Sequence, residues 1–140
     1  MQLWWTMWGY LAPFGEGSPL AITIVVSLFS IVFLVLGTRN LFKRDSAGLI
    51  MGLWMATNPL HVAWSTSIYN VMPPFFFMSL SLFCLSKALD SSRKWSWLAG
   101  LSFGLAVSMR VDSAVLGVLW SAILIYKKYP LKASIGPIAL

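Results

Sequence analysis

An all-α, polytopic transmembrane helical bundle is the fold class this sequence predicts, and three observations predict it. Hydrophobic residues make up 59% of the 140-residue chain and charged ones only 10%, with a mean hydropathy of +0.80; a soluble domain carries roughly 25% charged residues. All but one of the ten lysines and arginines fall into three clusters: Arg39/Lys43/Arg44, Lys87/Arg93/Lys94 and Lys127/Lys128/Lys132. The runs between clusters are apolar and of membrane-crossing length. Cytoplasmic loops of membrane proteins carry the excess of Lys and Arg, so the clusters mark one side of a membrane.

The elements follow in order. Residues 1–18 read as an external interfacial segment: Leu3, Met7 and Leu11 recur at helical spacing among Trp4, Trp5, Trp8 and Tyr10, the aromatic composition of a membrane–water boundary. No positive region precedes this stretch, so it is not a secretory signal. A first span covers 19–37, nearly pure Ile, Val, Leu and Phe; about 19 residues at 1.5 Å each cross a hydrocarbon core of ~30 Å. Glu16 flanks it outside and Arg39 inside. A second span, 46–61, returns to the outer face at Asn58-Pro59, where the proline disfavours helical geometry in the residue before it. The external loop that follows has no Lys, Arg, Asp or Glu but carries Trp64, Thr66, Ser67, Tyr69 and Asn70. Pro73-Pro74 then opens a third span, 73–88, since a first helical turn tolerates proline.

The stretch from Trp95 to Tyr126 has basic residues at both ends, Lys94 and Lys127/Lys128. Two inside flanks require an even number of crossings, so two short spans are expected, 95–109 and 113–126, turning at Arg110-Val111-Asp112. Each is only about 21–23 Å long, which puts the turn below the outer surface. Residues 132–140 begin a sixth apolar span and stop, which reads as a fragment of a larger protein formed of a single membrane region, 1–140.

The net charge of +6 does not point to nucleic acid, because the cations sit in short loops rather than on one face. Cys84 has no cysteine to pair with. No Cys/His/Asp/Glu spacing fits a metal, no glycine-rich loop fits a nucleotide, and no cofactor is expected. Gly48-x-x-x-Gly52 and Gly100-x-x-x-Gly104 are small-residue faces for helix packing.

Arg110 is the exception to the clusters. An arginine at membrane depth costs roughly 2.5–3.5 kcal/mol on insertion scales, so it faces a cavity or a partner. A turn brings Asp112 within its reach. The guanidinium fork suits phosphate, to which it donates two parallel hydrogen bonds. Arg110 and Asp112, with His61, Tyr69 and Asn58 at the same outer end, are therefore the candidate residues for recognising an anionic, phosphate-bearing headgroup.

The run 39–49 (Arg-Asn-Leu-Phe-Lys-Arg-Asp-Ser-Ala-Gly-Leu), then Asn58-Pro59-Leu60-His61-Val62 with its Ser/Tyr-containing loop, and the glycine-spaced stretch from Trp97 to Arg110 together resemble the membrane half of GT-C glycosyltransferases. The closer branch holds the dolichyl-phosphate-mannose–protein mannosyltransferases and aminoarabinose transferases. The stretch from Gly15 to Arg44 is similar to that family's next-upstream span and basic turn. The resemblance implies transfer of a sugar from a polyprenyl-phosphate donor to an acceptor on the outer or lumenal face. It also implies a catalytic aspartate in a first external loop that would lie upstream of this chain, so the fragment by itself is expected to be inactive. The expected site is an integral, plasma (inner) membrane, with the N-terminal segment and Arg110 external. The alternative is a small non-enzymatic polytopic subunit for transport or assembly. A transporter gathers polar residues at the bilayer midplane, whereas here they gather at the outer end.

Overall fold

The computed structural model describes residues 18–65, 71–90 and 93–126. Among them every element is helical: α1 (Ser18–Phe42), α2 (Asp45–Thr57), α3 (Pro59–Ser65), α4 (Met72–Ala88), α5 (Arg93–Met109), a short 3₁₀ turn (Val111–Ala114) and α6 (Val115–Tyr126). The aromatic N-terminal segment before residue 18, the loop carrying Tyr69, the third basic cluster and the start of the sixth span lie outside the described residues.

α1 continues past Gly37 to Phe42 and ends at Lys43, whose φ of 55° is left-handed. Arg44 is extended, and α2 starts at once. This tight turn folds α2 back antiparallel to α1. Gly48 and Gly52 permit the close approach: a Cβ on Gly48 would meet the Val35 carbonyl oxygen at 2.8 Å, and one on Gly52 the Val35 Cγ2 at 2.7 Å. α4 lies on the other side of α1 and runs parallel to it, with Gly37 against the Phe83 backbone at 3.1 Å for a built Cβ. α5 then packs antiparallel on α4, and its far end turns into α6. The lateral order is α2–α1–α4–α5. Phe33 meets Phe76 and Phe83 at ring separations of 5.7 and 5.6 Å, and Phe83 meets Trp95 edge-on at 6.0 Å, which carries one aromatic seam across three helices.

The packing is inverted relative to a soluble protein. The buried face of α1 is Thr23, Ser27, Ser30 and Leu34; that of α5 is Ser96, Ala99, Ser102 and Ala106; α4 buries Ser79, Ser81, Cys84 and Ser86. Large apolar side chains such as Leu28, Phe29, Leu53, Trp54, Leu101 and Val118 point outward. In lipid there is no gain from burying leucine between helices, and small residues that let backbones approach take the interior instead. Hydroxyls there return to carbonyls of their own helix: Ser30 to Val26 at 2.7 Å, Ser79 to Phe75 at 3.0 Å and Ser86 to Phe83 at 2.7 Å. Others reach across instead. Ser81 donates to the Ala99 carbonyl of α5, and Ser27 bonds the ring of His61.

Two segments are long and apolar enough to cross a membrane, Leu20–Phe42 with 23 residues and Met72–Asp90 with 19. The other helices are shorter, and the span expected over 46–61 is divided at Asn58, so helix length does not by itself establish five crossings. The alternating helix directions nonetheless bring the described basic residues other than Arg110 to one end, where Lys43 pairs with Asp90 and Arg39 with Asp45 at 2.5 Å. Asn58, Pro73, Pro74 and Arg110 lie at the other.

Candidate functional site

A cavity of about 210 Å³ opens at that other end. It is lined by Trp64, Val71, Pro74, Phe75, Met78, Arg110, Asp112 and Ser113.

Three local breaks in the helices build it. The first is Asn58, held extended at φ −69°, ψ 115° because Pro59 follows. Its side-chain oxygen accepts the backbone N–H groups of Leu60 at 3.0 Å and His61 at 3.4 Å. That satisfies two of the orphan donors at the start of α3, and α3 carries Trp64 to the cavity. The second is the start of α4, where Pro73 and Pro74 occupy first-turn positions that need no intrahelical N–H. Pro74, Phe75 and Met78 form the apolar wall. The third is Arg110. Its N–H completes α5 on the Ala106 carbonyl at 3.0 Å, its backbone is then extended at φ −145°, ψ 116°, and its carbonyl accepts the Ser113 N–H at 3.0 Å.

The guanidinium and carboxylate meet across this turn. Arg110 Nε donates to Asp112 Oδ1 at 3.0 Å and Nη2 donates to Oδ2 at 2.5 Å. The hydrogen bond from Arg110 holds the Asp112 carboxyl below the usual carboxylate range, so the pair is ionised at neutral pH. Asp112 grips the guanidinium side-on. Of the five N–H donors of an arginine, the pair on Nη1 and the second hydrogen on Nη2 stay free of it, and these form the forked edge that suits a phosphate or carboxylate. A half-exposed arginine oriented by a carboxylate, beside an aromatic and apolar wall, can hold an anion whose remainder is apolar.

The other expected site residues stand differently. Asn58 directs its oxygen into the α3 cap. The His61 ring is buried, with Nε2 at 2.9 Å from Ser27 Oγ and its centroid 5.3 Å from that of Phe75, so it stands behind the wall that Phe75 presents. Tyr69 lies outside the described residues. Sequence reasoning singled out neither Ser27 nor Ser113. Ser27 has no local signature, since its partner is far along the chain; Ser113, next to Arg110-Val111-Asp112, was open to notice as a hydroxyl beside a charged turn. Among the described residues no cluster of His, Cys, Asp and Glu could hold a metal.

A family model described as dolichyl-phosphate-mannose-protein mannosyltransferase matches residues 3–138. The chain belongs to that family. Membership in the mannosyltransferase family covers the cavity, both ends of the bundle and the seam between them. With two helices of crossing length, it makes the chain part of an integral membrane protein of the GT-C glycosyltransferase type. No curated protein and no solved structure matches the chain.

Proposed function

We propose that the chain provides the lipid-phosphate subsite of a membrane glycosyltransferase that moves a sugar from a polyprenyl-phosphate carrier to an acceptor on the outer or lumenal face. The single observation that carries this reading is the Arg110 guanidinium, gripped side-on by Asp112 and lining a cavity whose other walls are mainly apolar.

The chemistry asks for such a group. The acceptor attacks the anomeric carbon, the bond from that carbon to the phosphate oxygen breaks, and its electron pair leaves with the lipid phosphate. A base takes the acceptor's proton. Negative charge therefore grows on the phosphate, and a preorganised guanidinium lowers the barrier by meeting it. Asp112 keeps Arg110 aimed. Asn58 and His61 serve the same site by setting the position of α3. The base, as the resemblance implies, is an aspartate of a first external loop. The positive-inside rule puts the end with Lys43 and Lys94 in the cytoplasm. Five crossings follow when α2 and α3 count together as one, and α5 and α6 as one each.

The test is Arg110→Ala in the full-length protein, with sugar transfer from a polyprenyl-phosphate donor measured in membranes. A fall of about a hundredfold is expected, the scale of losing one oxyanion-stabilising donor. Undiminished transfer removes Arg110 from the site.

A further inference from the structure

We propose that Ser113 is a second anion-binding residue of this cavity: its hydroxyl donates to an oxygen of the same phosphate that meets the free edge of Arg110. This role rests on the reading of Arg110 given above, which it extends to a residue not assigned there.

Ser113 is 2% exposed and lines the cavity. A hydroxyl removed from water without a hydrogen bond is costly, and the other buried serines show how this chain avoids that cost. Ser30, Ser79 and Ser86 turn back to a carbonyl three or four residues earlier, while Ser27 and Ser81 bond across to a neighbouring helix. The same escape is within reach of Ser113, because the Arg110 carbonyl three residues before it already accepts its backbone N–H. Its hydroxyl does not take it. Among the described residues the Ser113 side chain has no hydrogen-bond partner. Ser102 is also buried without one, but it lies within α5 and does not line this cavity. Ser113 differs in being left open at the wall of a cavity, one residue from Asp112 and three from Arg110.

The two neighbours set what the hydroxyl can serve. Arg110 offers only donors, so a group shared between it and Ser113 is an acceptor with more than one oxygen. Asp112 repels an anion that approaches from its own side and confines it to the Nη1/Nη2 edge. The rest of the lining, with Trp64, Phe75 and Met78, offers aromatic and aliphatic surface. An ester of phosphate with an apolar alcohol meets all three demands.

The test uses farnesyl phosphate as probe on the purified full-length protein, with affinity and the ligand-free Tm both measured. Ser113→Ala is expected to weaken binding about tenfold, the scale of one hydrogen bond to a charged group. It should leave the ligand-free Tm unchanged or raised, because it removes an unmet hydroxyl. Ser113→Cys, which keeps the volume with only a weak donor, should fall between the two. Unchanged affinity together with a lowered Tm overturns the proposal and makes Ser113 a packing residue. Arg110→Ala separates the two readings. If it abolishes binding while Ser113→Ala does not weaken it, only the role of Ser113 fails; if Arg110→Ala binds as tightly as the parent, the phosphate subsite fails and Ser113 with it.

Discussion

The two ends of the bundle handle charge in opposite ways. At one end, cations are plentiful and their pairings are exposed. Arg39–Asp45 and Lys43–Asp90 join side chains that are roughly half exposed or more, and Arg44 and Lys94 are exposed beside them. At the other end a single arginine is gripped through two donors by one carboxylate, on a turn whose own backbone is hydrogen-bonded, and it lines a cavity with Trp64 and Phe75. Many charges at one end orient a membrane protein and tolerate exchange. One charge held in a fixed attitude, if it performs the proposed task, should tolerate none.

The sharpest way to break this comparison is to remove a cation from each end. Arg110→Ala should cost about a hundredfold in sugar transfer, whereas Arg44→Ala should leave transfer by the correctly inserted protein unchanged; equal effects would erase the distinction. Next in size is the packing that brings the ends into register. Gly48→Leu should destabilise the protein by about 3 kcal/mol in a detergent unfolding titration, because the first obstacle is the Val35 backbone oxygen. Gly52→Ala should cost less, since its obstacle is a side-chain methyl that can rotate away. His61→Ala should cost about 2 kcal/mol by stranding the Ser27 hydroxyl, and His61→Gln should recover part of it by restoring a partner. The smallest effect belongs to the basic end: Lys43→Ala should shift stability by under about 1 kcal/mol and less still in high salt, as befits an exposed pair.

The pH dependence has a definite sign. The folded Asp112 carboxyl is lowered from its ordinary value of 3.8. Its pairing with Arg110 is therefore complete above that value and is lost only as pH falls through the lowered one. Probe binding should not vary through Asp112 near neutrality, which a titration of Kd against pH would show.

The helical class and the family were legible because both reside in local pattern: apolar runs, charged interruptions and the ordered stretches from Arg39 to Val62 and from Trp97 to Arg110. Prolines did further local work, and the breaks at Asn58-Pro59 and at Pro73 follow from backbone sterics alone. The count of crossings was less legible, since α2, α5 and α6 are short for a bilayer and their hydropathy does not distinguish a full crossing from a partial one. Least legible was the interior of the site. A histidine near a helix end reads the same whether it faces a ligand or reaches back to Ser27 on another helix, and a serine in an apolar run carries no mark of whether its hydroxyl has been met. Those outcomes depend on which faces meet, and the near-uniform apolarity of α1 and α4 hides their faces from any periodicity argument.

The hydroxyl-lined interior has a mechanical consequence. A serine bonded to its own helix holds nothing else in place, so the surfaces contributed by Ser30, Ser79 and Ser86 impose little register on their neighbours. Ser27–His61 and Ser81–Ala99 do impose it, one fixing α3 to α1 and the other fixing α5 to α4. The Trp64 wall and the Arg110 turn thus each depend on a polar cross-link between helices, and slippage at either would change the width of the cavity while leaving the helices themselves intact.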